Sequence, residues 1–277
     1  MTPPSRQGDR SGRRDGMPEN LGPLSAPSIT RALAISVIGR TVIYYPVLTS
    51  TMDEARKQAR AGLPEGTVVI AEKQTVGRGR LKRTWFAPEG NIALSVVLYP
   101  RLADLPSLIM LSSLAVLHSI QTVTGIRGRI KWPNDVLVNG KKVCGILIET
   151  DVRRQKVNYA IVGIGINVNL SPADFPEIES SATSLSKELG KDVSRLGLVR
   201  ALLAEMDRLY LTLKAGGLLY EEWRDNLDTL GKHVRATSVD GVQEGIAESA
   251  DRDGSLCLRT TDGKLARVVA GDVTLRL

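Results

Sequence analysis

Gly77-Arg78-Gly79-Arg80-Leu81-Lys82-Arg83-Thr84-Trp85 is the most chemically loaded stretch of this 277-residue chain. Its glycines let the backbone fold closely around a ligand and reach positive φ. Its arginines present planar, permanently charged forks matched to phosphate or carboxylate. A second group, Lys131-Trp132-Pro133-Asn134-Asp135, closes a strand. Pro133 lacks an N–H and restricts its neighbour, which leaves Lys131 as a positional charge for an incoming carboxylate or phosphate. Ser50-Thr51 at a helix start and Gln74 beside the arginine loop offer hydrogen bonds, although capping alone accounts for such a pair. Gly163, Gly165 and Asn167 inside a strand indicate close approach by a ligand or by a neighbouring strand. Taken singly, each group also reads as a solvated loop, a turn, a cap or sheet packing. The chemistry common to the two basic groups is the binding of anions.

Other chemistries lack their residues. No Gly-Lys-Ser/Thr opens a helix as in a Walker motif, and no GxGxxG precedes one. His118 lies in an apolar helix as a core or edge residue, and His233 lies near the C-terminus. Two histidines without metal-ligand spacing argue against a zinc enzyme, so no metal-ligating residue is assigned. No Ser/His/Asp arrangement supports an acyl-enzyme. Cys144 and Cys257 are too few and too far apart for a disulfide scaffold and fit a reducing, cytoplasmic compartment.

The formal charge is +7, and its placement is uneven. Residues 73–83 carry net +5 and residues 127–142 net +4, while 1–28 carry +1 and 231–277 are neutral. The rest of the middle region is therefore net −3. A polyanion-binding face would spread its charge; here it is confined to two loops. Aromatic residues make up 4%, which argues against base stacking along a single strand. No apolar run reaches the ~18 residues of a membrane span, since Ser, His and Gln interrupt 105–124. No membrane association is expected.

The elements that must position these residues follow from periodicity. Residues 1–28, rich in Pro, Gly, Ser and Arg, read as a disordered tail, without the apolar run of a secretory signal and with too many acids for a transit peptide. Ser28 is placed to cap a helix over 29–37. Strands are expected at 40–48, 67–74, 91–99, 127–132, 135–139, 142–150 and 157–168, with an Asn139-Gly140 hairpin turn. Thr51-Met52-Asp53-Glu54 fits a capping box opening a helix to about 61. Helices are expected at 105–124, 183–189, 194–215 and 218–227, and a Pro/Ser/Asp loop at 170–182. Turns at Asp240-Gly241, Asp253-Gly254 and Asp262-Gly263 then predict a small β-barrel. The organisation is a tail (1–28), an α+β catalytic domain (29–230) and a β domain (231–277).

Ser50-Thr51, Gln74, the Gly-Arg-Gly-Arg-x-x-Arg-x-Trp loop, Lys-Trp-Pro-Asn-Asp and Gly163-x-Gly165-x-Asn167 occur in the order seen in biotin–protein ligases. The resemblance covers about 36–277, including Ala270-Gly271-Asp272-Val273-Thr274-Leu275-Arg276. It implies a mixed sheet flanked by helices, of the class II synthetase type, with a C-terminal SH3-like barrel. It also implies activation of biotin by ATP as biotinyl-5′-AMP, with Mg²⁺ carried by ATP, and transfer to a lysine of a biotin carboxyl carrier protein. Ser50, Thr51, Gln74, Gly79 and the backbone around Arg78 and Arg80 would then hold biotin over a floor of Gly145 and Gly163. Lys131 would meet the biotin carboxylate and later the adenylate phosphate. Arg78, Arg80, Arg83, Trp85, Lys131, Asn134 and Asn167 would face the nucleotide, with Lys131, Arg78 and Arg80 as the catalytic charges. Met52 stands where many family members carry Asn, so it receives no polar contact.

The residues ahead of the catalytic domain are too few and too polar for a helix-turn-helix, so no specific DNA is expected; a homodimer is compatible with the sequence. The alternatives are a lipoate-type acyl ligase using the same adenylation chemistry and, more remotely, a non-enzymatic nucleic-acid-binding module.

Overall fold

The computed structural model describes residues 23–31, 33–238, 241–269 and 271–275. Its strands are β1 (Val42–Leu48), β2 (Val68–Gln74), β3 (Ile92–Leu98), β4 (Arg129–Lys131), β5 (Asp135–Val138), β6 (Lys141–Arg153) and β7 (Lys156–Ile166) in one sheet. That sheet runs β1-β2-β3-β7-β6-β5-β4. Only β1 and β2 pair in parallel; the other pairings are antiparallel. Helices are α1 (Ala26–Thr30), α2 (Thr51–Arg60), α3 (Ser107–Thr124), α4 (Leu185–Leu189), α5 (Arg195–Lys214) and α6 (Tyr220–Asp225). A second sheet, ordered β11-β10-β9-β8-β12, holds β8 (His233–Ser238), β9 (Gly241–Ala250), β10 (Leu256–Thr260), β11 (Leu265–Val268) and β12 (Asp272–Leu275). The α+β class, the mixed sheet and the small C-terminal antiparallel sheet agree with expectation.

Side-chain alternation along the central strands sets the two faces of the large sheet. Ile92, Leu94, Val96, Cys144, Ile146, Ala160, Val162, Ile164 and Ile166 face α3 and α5 and are buried in the main core. The opposite face carries α2 on a smaller cluster of Met52, Ala55, Ala59, Val69, Val97, Tyr159 and Ile161. Alternation puts Ala93, Ser95, Gly145, Leu147, Glu149, Gly163 and Gly165 on this α2 face. Small residues there leave a hollow where the other face has core.

Three expectations need correction. Residues 23–28, assigned to the tail, instead pack into the fold: Leu24 is buried, and Ser25 and Ser28 form a reciprocal capping box that opens α1. The rest of the expected tail, 1–22, lies outside the described residues. The helix expected over 29–37 ends at Thr30, because further on the Asp207 carboxylate of α5 accepts the N–H groups of Ser36, Val37 and Ile38 at 2.7–2.8 Å. Those donors are therefore unavailable to a helix. Lastly, α3 is long and apolar enough to cross a membrane by length and composition, contrary to the reading of the broken run. It is nevertheless a core helix packed along α5, with 61% of its 18 residues buried.

Asp207 is only 4% exposed, and each of its bonds is charge-assisted. Asp207→Ala would strand three backbone donors. We expect it to cost about 3 kcal/mol, seen as a lowered urea midpoint at unchanged m-value. Asp207→Asn, which keeps one acceptor, should lose less.

His118 is half-buried at the edge of the core, as expected, with its ring nitrogens 3.1 Å from Glu205 and 2.8 Å from Glu222. Both cysteines are free and buried, and desolvation pushes the Cys144 thiol far up from its ordinary value.

Candidate active site

A cavity of about 440 Å³ opens on the α2 face of the sheet, over the glycines. All thirteen residues that the resemblance assigns to biotin or the nucleotide border it: Ser50, Thr51, Gln74, Arg78, Gly79, Arg80, Arg83, Trp85, Lys131, Asn134, Gly145, Gly163 and Asn167. They come from distant segments: β1 leads into α2, β2 ends at Gln74, and the sheet register sets Lys131 opposite Asp135, Asp135 opposite Gly145 and Gly145 opposite Gly165, on the glycine row of the floor.

At one end, Gln74 Oε1 accepts from both Thr51 N (2.7 Å) and Thr51 Oγ1 (3.0 Å). Ser95 Oγ donates to Thr51 Oγ1 at 2.9 Å. With its carbonyl thus occupied, Gln74 has its amide left as a donor. Ser50 Oγ is buried and has no hydrogen-bond partner among the described residues. A buried hydroxyl without a partner is costly, so this end of the cavity is built for a polar ligand. The expected capping box does not form: Ser50 is the cap residue, it makes no side-chain cap bond, and Thr51 turns to Gln74 instead. Glu54 accepts from Tyr45 OH at 3.1 Å.

The floor is shaped by missing side chains. A Cβ at Gly163 would lie 2.4 Å from Met52 Sδ, and one at Gly165 would lie 2.3 Å from Trp85 Cε2. Trp85 can rest on the sheet only because Gly165 is glycine. Its Nε1 is buried without a partner among the described residues. Lys142 Nζ stands 5.5 Å from the centre of the Trp85 ring and 2.7 Å from Asp135 Oδ1. Sequence reasoning gave Lys142 no role. A bulge between Val136 and Leu137 shifts the β5–β6 register there, so strict alternation misplaces it.

The Gly/Arg loop folds over this floor. Gly79 N and Arg83 O bond at 2.8 Å, Trp85 N and Gly77 O at 2.9 Å, and Leu81 at the tip takes φ 52°. Phe86 packs against Phe175 of the 170–182 loop, ring centres 5.4 Å apart, so the two loops brace each other. Arg80 Nη1 donates to Asn134 Oδ1 at 3.1 Å, and its Nη2 donates to Gly271 O of the C-terminal sheet at 2.8 Å. Asn134 in turn donates to Ile146 O (2.8 Å), and Asn167 Nδ2 donates to Thr183 O (3.1 Å). These two asparagines spend side-chain bonds on holding the walls.

Arg78 and Lys131 differ from each other. Arg78, expected to act as an open charge, is paired with both Asp53 of α2 and Glu149 of β6. Lys131, by contrast, lines the cavity with no carboxylate partner among the described residues. Beside it Trp132 is buried, after which the Trp132–Pro133 peptide is cis. Trp132 N donates to Thr229 Oγ1 (2.9 Å) and Nε1 to Gly254 O (2.8 Å), which pins the end of β4 to the segment ahead of β8 and to the β9–β10 turn.

The cavity thus sets a Gly/Arg loop and a strand-end lysine over a glycine floor on one face of a mixed sheet. The model of the biotin/lipoate A/B protein ligase family matches residues 44–167, and that of the biotin protein ligase C-terminal domain matches 229–276. A bifunctional ligase/repressor BirA of Bacillus subtilis is 38% identical over 260 residues, covering 92% of this chain and 80% of that protein. A biotin–[acetyl-CoA-carboxylase] ligase of Paracoccus denitrificans is 35% identical over 224 residues, 78% of this chain and 92% of that one. The biotin protein ligase of Aquifex aeolicus, solved in complex with biotin and ATP, superposes with a TM-score of 0.73 at 28% identity, covering 86% of this chain and 99% of its own. The chain belongs to the biotin protein ligase family.

Proposed function

We propose that the cavity joins biotin to ATP and passes the product to a carrier protein. The observation that carries this is one continuous hollow with neutral donors at one end, Ser50 and Gln74, and Lys131, Arg83 and Trp85 at the other. A ureido ring suits the first end, a carboxylate meeting an α-phosphate suits the second. Biotin binds with its ring over Gly163 and its carboxylate beside Lys131. The nucleotide lies against Trp85.

A carboxylate oxygen attacks the α-phosphorus, a new P–O bond forms, and the bond to the β-phosphate oxygen breaks to release pyrophosphate. Two anions must approach each other, so fixed positive charge at the meeting point lowers the barrier. Lys131 supplies it, and Arg80 with Asn134 holds the loop closed over the mixed anhydride to exclude water. The uncharged amine of a carrier lysine then attacks the acyl carbon, an amide forms, and AMP leaves. Mg²⁺ is assigned to the triphosphate of ATP, which bears the oxygens it prefers; among the described residues no three His, Cys, Asp or Glu side chains are grouped to hold an ion.

The partner is a biotin carboxyl carrier domain. The proposed location is the cytoplasm, consistent with two free thiols, and no DNA partner is assigned. Incubation with biotin, MgATP and a carrier domain should label that domain on its acceptor lysine. A Lys→Arg carrier should stay unlabelled. Labelling without ATP, or none with it, would overturn the assignment.

A further inference from the structure

Arg78 belongs to a closed ring of charges. Asp53 pairs with Arg78 and, at 2.9 Å, with Arg56; Glu149 pairs with Arg78 through one oxygen and with Arg56 through the other. Two cations and two anions alternate, and three elements meet in them: the first turn and a half of α2, the Gly/Arg loop, and β6. The four side chains are between 26% and 46% exposed, so the ring sits at the surface over the end of the cavity that holds Ser50, Met52 and Gly163. Nothing in adenylation chemistry asks for two carboxylates beside a phosphate-facing arginine. Their place on the α2 face is explained if Arg78 is held away from the phosphates.

We propose that Glu149, with Asp53 and Arg56, is a positioning residue that clasps Arg78 across the mouth of the biotin end and sets how long bound biotin stays. The inference rests on the cavity being the biotin site. A ligand lying on Gly163 beneath the loop leaves only when the loop lifts, and the loop lifts only when the Arg78 pairs part. Single surface pairs contribute little, but a bidentate fork shared within a network contributes more. Because the ring is partly exposed, salt weakens it. Arg56 keeps Asp53 and Glu149 in place when the loop is open, so the clasp re-forms without reorganising.

The test is biotin dissociation alone, without ATP, followed by stopped-flow tryptophan fluorescence with Trp85 as the cavity reporter. At low salt Glu149→Gln should release biotin about ten times faster than the unmodified protein, and Asp53→Asn/Glu149→Gln faster still. Raising NaCl from about 20 mM to about 500 mM should speed release from the unmodified protein several-fold. The double variant should respond clearly less, with only the attraction between Lys131 and the biotin carboxylate left to screen. Thermal melts run alongside should coincide, since the ring lies outside both cores. Equal dissociation rates in the unmodified protein and Glu149→Gln would overturn the clasp while leaving the biotin site standing. A salt response as large in the double variant as in the unmodified protein would overturn it too. Failure of the unmodified protein to bind biotin would instead remove the site and the clasp together.

Discussion

Lys131→Ala is expected to cut biotin-dependent pyrophosphate release by about 10²–10³-fold, the range for removing one well-placed charge donor from a transition state. The loss should fall on kcat more than on KM for biotin, because the proposed binding mode holds the ring end of the ligand elsewhere, at Ser50, Thr51 and Gln74. The fold should survive. Lys131 ends β4, and what anchors that strand end is the neighbouring Trp132, through Thr229 and Gly254. A Lys131→Ala protein with an unshifted melting curve and near-normal pyrophosphate release would remove the lysine from the mechanism. Lys131→Arg should restore part of the rate, since the charge returns with a different shape.

The second large effect concerns retention. Arg80→Ala removes two bonds at once, to Asn134 and to the carbonyl of Gly271, and with them the link between the Gly/Arg loop, the Lys-Trp-Pro-Asn-Asp turn and the C-terminal sheet. Charge-assisted bonds of this kind contribute about 1.5–3 kcal/mol, so biotinyl-AMP should escape about 10–100 times faster. The variant should therefore label lysines on bystander proteins while still making the adenylate. Rapid gel filtration followed by mass analysis measures the retained fraction; undiminished retention would contradict the lid role. Arg80 and Arg78 differ in what they tie together. Arg80 ties the loop to Asn134 and to Gly271 of the second sheet, and Arg78 ties it to α2 and β6.

Much of the site was legible beforehand because its residues sit at strand ends and in a loop of unusual composition, where local chemistry carries the signal. The face of the sheet was legible in principle: alternate residues of β6 and β7 put Gly145, Gly163 and Gly165 together. The charge of the loop was not. Counting within 73–83 finds no acid, yet Asp53 and Glu149 arrive from 25 residues before Arg78 and 71 after it. Only the tertiary fold brings them there. The same holds for Asp207, whose carboxylate ends a helical pattern from more than 160 residues away. Lys142 was missed for a local reason, a single bulge that re-aims side chains beyond Leu137. The +7 of the whole chain accordingly overstates what the cavity offers an anion.

The most direct test of the central claim is to incubate the purified protein with MgATP and either biotin or lipoate, separate it quickly from free nucleotide, and identify what stays bound. The account predicts about one biotinyl-5′-AMP per chain with pyrophosphate released in step, and no adenylate from lipoate. Pyrophosphate release indifferent to biotin, or lipoyl-AMP retained in its place, would contradict it.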